Sequence, residues 1–202
     1  MNSYKVLALC AMISPILYTL MWILGGIIVP GYSHIQDDVS SLYAIDANRR
    51  WLFQSLSIIC SLLLMAFFFG LCWIMSGKKG SAAGPVLLIV SAAFGVLVAC
   101  FFPLDAGGEP STWRGMMHVI LIALSGIFFI AGAVLMYFRL RSVDGWQGFA
   151  TFQLISAPVL LVLVVVMFPF TGGRYMGLVE RFMVSGYQIY YFVSGLMVFL
   201  RS

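Results

Sequence analysis

The feature that most constrains this chain is a series of six apolar stretches, at roughly 6–29, 51–76, 81–103, 115–138, 149–170 and 182–200. A helix of about 20 residues crosses a hydrocarbon core of about 30 Å, and there every backbone polar group must be satisfied internally. Long unbroken runs exclude a barrel, whose strands alternate over about 10 residues. The predicted fold is all-α: a polytopic integral membrane protein with six transmembrane helices in one bundle, forming a single domain over residues 1–202. The longest connection, 30–50, has 21 residues and holds no separate domain. Charged residues make up only 9% of the chain, against roughly 25% in soluble domains.

The first stretch reads as helix one rather than a signal peptide, since its apolar run exceeds the usual core of about 7 to 15 residues and no small-x-small cleavage site follows. Cys10, Cys60, Cys72 and Cys100 fall within or at the ends of helices and share no loop, which argues for apolar packing rather than a disulfide framework.

Six spans put both termini on one side. That side carries Lys5, Lys78, Lys79, Arg139, Arg141 and Arg201; the other carries Arg49, Arg50, Arg114, Arg174 and Arg181. All three lysines are on the terminal side, while Asp37, Asp38, Asp46, Asp105, Glu109 and Glu180 are on the other. This distribution places the protein in the cell membrane with both termini cytoplasmic and a polar cluster outside. The net charge of +4 is spread over both faces and makes no case for nucleic acid.

The outer hairpins read as three related units. Residues 96–103, VLVACFFP, and 162–169, VLVVVMFP, share five of eight residues. Pro30, Pro103 and Pro169 end the odd helices, and Arg50, Arg114 and Arg181 stand at the starts of the even ones. Gln54, His118 and Ser185 follow these arginines at i+4, and Gln188 follows Arg181 at i+7, so each arginine has a polar group beneath it on the same face. Polar groups at that depth face a bundle interior or a water-filled cavity. The pattern predicts an outward vestibule lined by Arg50, Arg114 and Arg181, although each arginine also suits simple snorkelling.

Within this outer region His34, His118, Asp37 and Asp105 supply the ligand types of a divalent metal site, but their spacing matches no zinc signature. Alternatively Asp105 orients Arg114 and His118 transfers protons, with Asp37 as a further carboxylate. A histidine one turn inside a helix also serves simply to hydrogen-bond a neighbouring helix. Asp38 precedes VSSLYA, which predicts a short interfacial helix with Asp38 as its N-cap.

"DDVSSLYA" after helix one, "FPLD" ending helix three, "MH" opening helix four and "GLVERF" opening helix six resemble the bacterial and archaeal membrane family catalogued as domain of unknown function 998. The resemblance implies six membrane helices, with Asp38, Ser41, Pro103, Asp105, His118, Glu180 and Arg181 as motif positions, and it implies no activity. The counterpart of FPLD after helix five is FPFT, so any role of Asp105 belongs to one hairpin.

Three function classes follow. The first is a binder of an anionic lipid or isoprenoid phosphate, gripped by Arg50, Arg114 and Arg181 with Gln54, Gln188, Glu180, Asp38 and Ser41 around it. The second is a membrane-embedded lipid hydrolase or transferase using His118 and Asp105. The third is an accessory subunit that docks a membrane protein partner.

Overall fold

A computed structural model describes residues 3–75 and 80–201. Lys78 and Lys79 lie outside the described residues. Six helices cross the fold: α1 (Ser3–Ile28), α2 (Arg50–Met75), α3 (Ala83–Phe101), α4 (Trp113–Leu140), α5 (Gln147–Met167) and α6 (Met176–Arg201). Each is long and apolar enough to cross a membrane, and the chain is a multi-pass membrane protein. The end of the bundle away from the termini is called distal below.

Each helix packs on its neighbours in chain order, and α6 returns against α1, so the six form a closed ring. Small residues set the closest crossings. A Cβ on Gly84 of α3 would lie 3.0 Å from the Met136 nitrogen of α4, and one on Gly132 of α4 would lie 3.1 Å from the Gly84 oxygen. Interfaces of this kind gain from backbone approach rather than from expelling water. Ser91 and Ser125 hydrogen-bond across the same α3–α4 seam.

Aromatic side chains fill the middle of the ring. Phe129 of α4 lies edge-on to Tyr187, Tyr190 and Tyr191 of α6, and Phe68 of α2 meets Tyr191 from the other side. Beneath them the Tyr190 hydroxyl donates to Gln153 of α5 at 2.5 Å, which pairs a buried amide between helices. At the terminal end Arg139 of α4 donates to the carbonyls of Met75 and Ser81.

One boundary differs from expectation in a way that matters. The sequence puts Arg181 at the mouth of helix six, but α6 begins at Met176 and buries Arg181 in its second turn. The apolar run marks the span only from 182, whereas contacts of the preceding turn with the α1–α2 connection hold it helical as well. Arg50 and Arg114 stand at helix starts as the pattern predicts.

Candidate functional site

The distal connection between α1 and α2 folds inward. Asp38 accepts hydrogen bonds from the Ser41 amide at 2.9 Å and the Ser40 hydroxyl at 2.8 Å, which closes a 3-10 turn over Ser40–Tyr43. The predicted interfacial helix is therefore a single turn, and it is buried against the bundle. Val39, Leu42, Tyr43 and Ala44 are buried, with Val39, Leu42 and Tyr43 packed on Met21 of α1 and Phe53 of α2. Their apolar side chains turn the segment into a plug.

The start of α6 holds that plug. Arg181 Nη1 donates to the carbonyls of His34 at 2.9 Å, Asp37 at 2.8 Å and Gly177 at 2.8 Å, and Nη2 donates to the Tyr32 hydroxyl. The guanidinium lies 5.4 Å from the ring centres of both Trp22 and Tyr32, a favourable cation–π setting. The Leu178 amide donates to the Ile35 carbonyl at 3.1 Å, and Glu180 accepts from the Val39 amide at 2.7 Å. Gly177 makes this approach possible, since a Cβ there would sit 2.2 Å from the Asp37 oxygen. Burial and the charge of Arg181 hold the His34 pKa below its usual value, and its ring packs edge-on to Trp22 and Tyr32. Asp37 accepts from the Ser33 amide at 2.6 Å.

A second cluster surrounds the distal end of α3, whose last carbonyls lack helical partners. Gln54 of α2 donates to the Ala99 carbonyl at 2.6 Å. His118 of α4 places Nδ1 at 2.8 Å from the Phe102 carbonyl; a carbonyl only accepts, so Nδ1 carries the hydrogen. Asp105 is 2% exposed and binds the start of α4, accepting from the Ser111 amide at 2.8 Å, the Thr112 amide at 2.6 Å and the Thr112 hydroxyl at 2.7 Å. The Ile45 amide joins the two distal connections by donating to the Leu104 carbonyl.

These hydrogen bonds, those from Thr112 foremost, hold the Asp105 carboxyl below its usual range. Its folded-state pKa lies below the unfolded value of about 4, so its stabilisation is present above that pH and is lost as pH falls through the depressed value. The melting temperature of the wild type in detergent is therefore expected to fall more steeply below about pH 4 than that of Asp105→Asn. Parallel curves would show that this carboxylate does not anchor α4.

The family model described as "Protein of unknown function (DUF998)" matches residues 12–197. The chain belongs to this family. No curated protein and no solved structure matches it. Read onto this DUF998 chain, the motif positions resolve into two fastenings. Asp38, Ser41, Glu180 and Arg181 fasten the plug, while Asp105 and His118 fasten α4 to the end of α3 and its exit loop.

The structure corrects two expectations for this family member. The three arginines do not line one open vestibule, because the plug occupies the mouth and Arg181 is spent on its carbonyls. The divalent metal set is not assembled either. His34 and Asp37 belong to the plug beside α6, His118 and Asp105 to the end of α3, and the described residues contain no group of three or more metal-ligating side chains. Asp105 meets Ser111 and Thr112 rather than Arg114. Gln188 lies elsewhere, in an apolar cleft of about 340 Å³ between α1 and α6 lined also by Pro15, Thr19 and Phe192. Sequence reasoning missed Tyr32, Gly177 and Leu178, whose partners are mostly backbone carbonyls. The one available signal was Gly177 standing four residues before Arg181, on the same helix face.

Proposed function

We propose that the distal end of α3 is a binding site for the phosphate of a membrane lipid, held between Arg50 and Arg114. The observation that carries this reading is the state of the two guanidiniums. Arg50 and Arg114 each stand one turn distal to a side chain that grips α3, namely Gln54 and His118, so they flank the same helix end. Among the described residues neither guanidinium has a hydrogen bond or ion pair to the protein, and Arg50 Nε is buried without a partner. Arg50 instead lies 5.1 Å from the ring centre of Trp51, and Trp51 and Trp113 are largely exposed, as suits aromatic residues at head-group depth. Arginine binds phosphate in bidentate fashion with charge-assisted hydrogen bonds. The Lys and Arg count, six on the terminal side against five on the distal side, leans towards a distal end facing out of the cell.

Native mass spectrometry of the protein from mild detergent tests the reading. The wild type is expected to retain a phosphate-bearing lipid, and Arg50→Ala with Arg114→Ala together to lower its occupancy by about tenfold or more, the equivalent of a single strong charge-assisted contact. Equal retention by both proteins overturns the site.

A further inference from the structure

The seam between α1 and α6 is closed at both ends and open in its middle. On the distal side the Arg181 guanidinium of α6 lies 5.4 Å from the ring centre of Trp22 of α1. On the terminal side a Cβ on Gly195 of α6 would lie 2.7 Å from the Ala8 oxygen of α1, and the Lys5 ammonium stands 5.2 Å from the ring centre of Phe199. Between these contacts lies the cleft of about 340 Å³, walled by Pro15 and Thr19 of α1 and by Gln188, Phe192 and Val193 of α6. Its volume falls within the range of small-ligand sites, about 300–1,000 Å³. Leu20 and Ile189 at its rim are exposed on membrane-spanning helices, so the cleft is entered sideways from the bilayer.

Depth decides what can reach it. Gln188 stands near the middle of α6 (Met176–Arg201), roughly 18–20 Å along the axis from each end, where a bilayer offers only hydrocarbon. A polar side chain at that depth usually finds its partner inside the bundle. Gln54 does so through the Ala99 carbonyl and Gln153 through the Tyr190 hydroxyl. Gln188 Oε1 is buried and has no hydrogen-bond partner, although Thr19 lines the same cleft. An amide oxygen in such a place is costly unless a donor meets it.

The donor is constrained in turn. Among the described residues no charged side chain lines the cleft, so an ammonium there would lack a counter-charge. An ester, ketone or ether only accepts and leaves Oε1 unpaired. A neutral hydroxyl donates, and its own lone pairs accept from an amide N–H as well. We infer that the cleft binds a neutral lipid alcohol whose hydroxyl donates to Gln188 Oε1 and whose chain fills the apolar remainder. The phosphate site at the distal end of α3 is separate, so either reading can fail without the other.

The test adds oleyl alcohol or its methyl ether, in equal amounts, to the full chain in lauryldimethylamine oxide, a detergent without hydroxyl groups, and reads bound masses by native mass spectrometry. The ether keeps the chain and the oxygen and loses only the donor. The wild type is expected to retain the alcohol and to hold the ether about tenfold less, the equivalent of one hydrogen bond. Gln188→Leu, which keeps an apolar side chain in the wall, should retain the two equally and melt no lower than the wild type. Val193→Trp, which fills the cleft, should retain neither. Equal retention of alcohol and ether by the wild type overturns the hydrogen bond. A preference that persists in Gln188→Leu, or alcohol held at the wild-type level by Val193→Trp, overturns the assignment to this cleft. A dimer that Gln188→Leu dissociates overturns it too, because the amide then pairs with a second copy of the chain. Retention of neither compound by the wild type overturns the site.

Discussion

Arg181→Ala is expected to lower the stability of the bundle by about 3 kcal/mol and to release the plug. The substitution removes charge-assisted hydrogen bonds to the His34 and Asp37 carbonyls and to the Tyr32 hydroxyl. Hydrogen bonds to charged groups contribute about 1.5–3 kcal/mol each, and a buried carbonyl left unpaired costs about 1–3 kcal/mol. Water entering from the distal side offsets part of this sum. The cation–π contacts with Trp22 and Tyr32 are lost too. Lysine should not restore stability, since one ammonium cannot reproduce a planar fork whose two ends serve different partners. Thermal unfolding in detergent measures the loss, and labelling of a cysteine placed at Val39, which is buried while the plug is seated, reports its release. An unchanged melting temperature with unchanged labelling would mean that Arg181 does not hold the segment.

Phe129→Ala is expected to cost about 3–5 kcal/mol, the range for deleting a buried aromatic ring. Phe129 is 1% exposed and its ring centre lies 5.0, 4.7 and 5.7 Å from those of Tyr187, Tyr190 and Tyr191. In the ring of helices α5 separates α4 from α6 along the circumference, so this cluster ties α4 to α6 through the interior. Removing the ring forfeits its dispersion contacts with this cluster. Phe129→Leu should recover about half of the loss, because it restores much of the volume. Unfolding in graded sodium dodecyl sulfate checks the series. A loss below about 1 kcal/mol would show that the interior does not depend on this ring.

The helices were legible because the membrane imposes a length and an apolar composition that local sequence must meet on its own. The i+4 pairs Arg50–Gln54 and Arg114–His118 were legible for a related reason, as polar groups placed one turn inside an apolar helix need a partner within the bundle. What they bind was not. Ala99 and Phe102 offer carbonyls, and every residue carries one, so the sequence has no mark for which will be left unpaired. The same blindness hid the task of Arg181. Read as the third member of a repeat it should face a ligand, whereas its acceptors are carbonyls of the plug. The repeat itself diverges where chemistry begins. After α3 the chain leaves the helix before Pro103 and offers the Phe102 carbonyl to His118, while after α5 a 3-10 turn runs through Phe168–Phe170.

The closed ring also sets an order of assembly. Helices that pack against their predecessor find a partner already present as the chain enters the bilayer, so five of the six seams form between sequence neighbours at low cost in loop closure. The seam between α6 and α1 joins the two ends of the series and must wait for both. Arg181 rides on α6 and its acceptors lie just after α1, so the plug between α1 and α2 stays unfastened until the sixth helix has inserted. Completion of the bundle and closure of its distal mouth are one event.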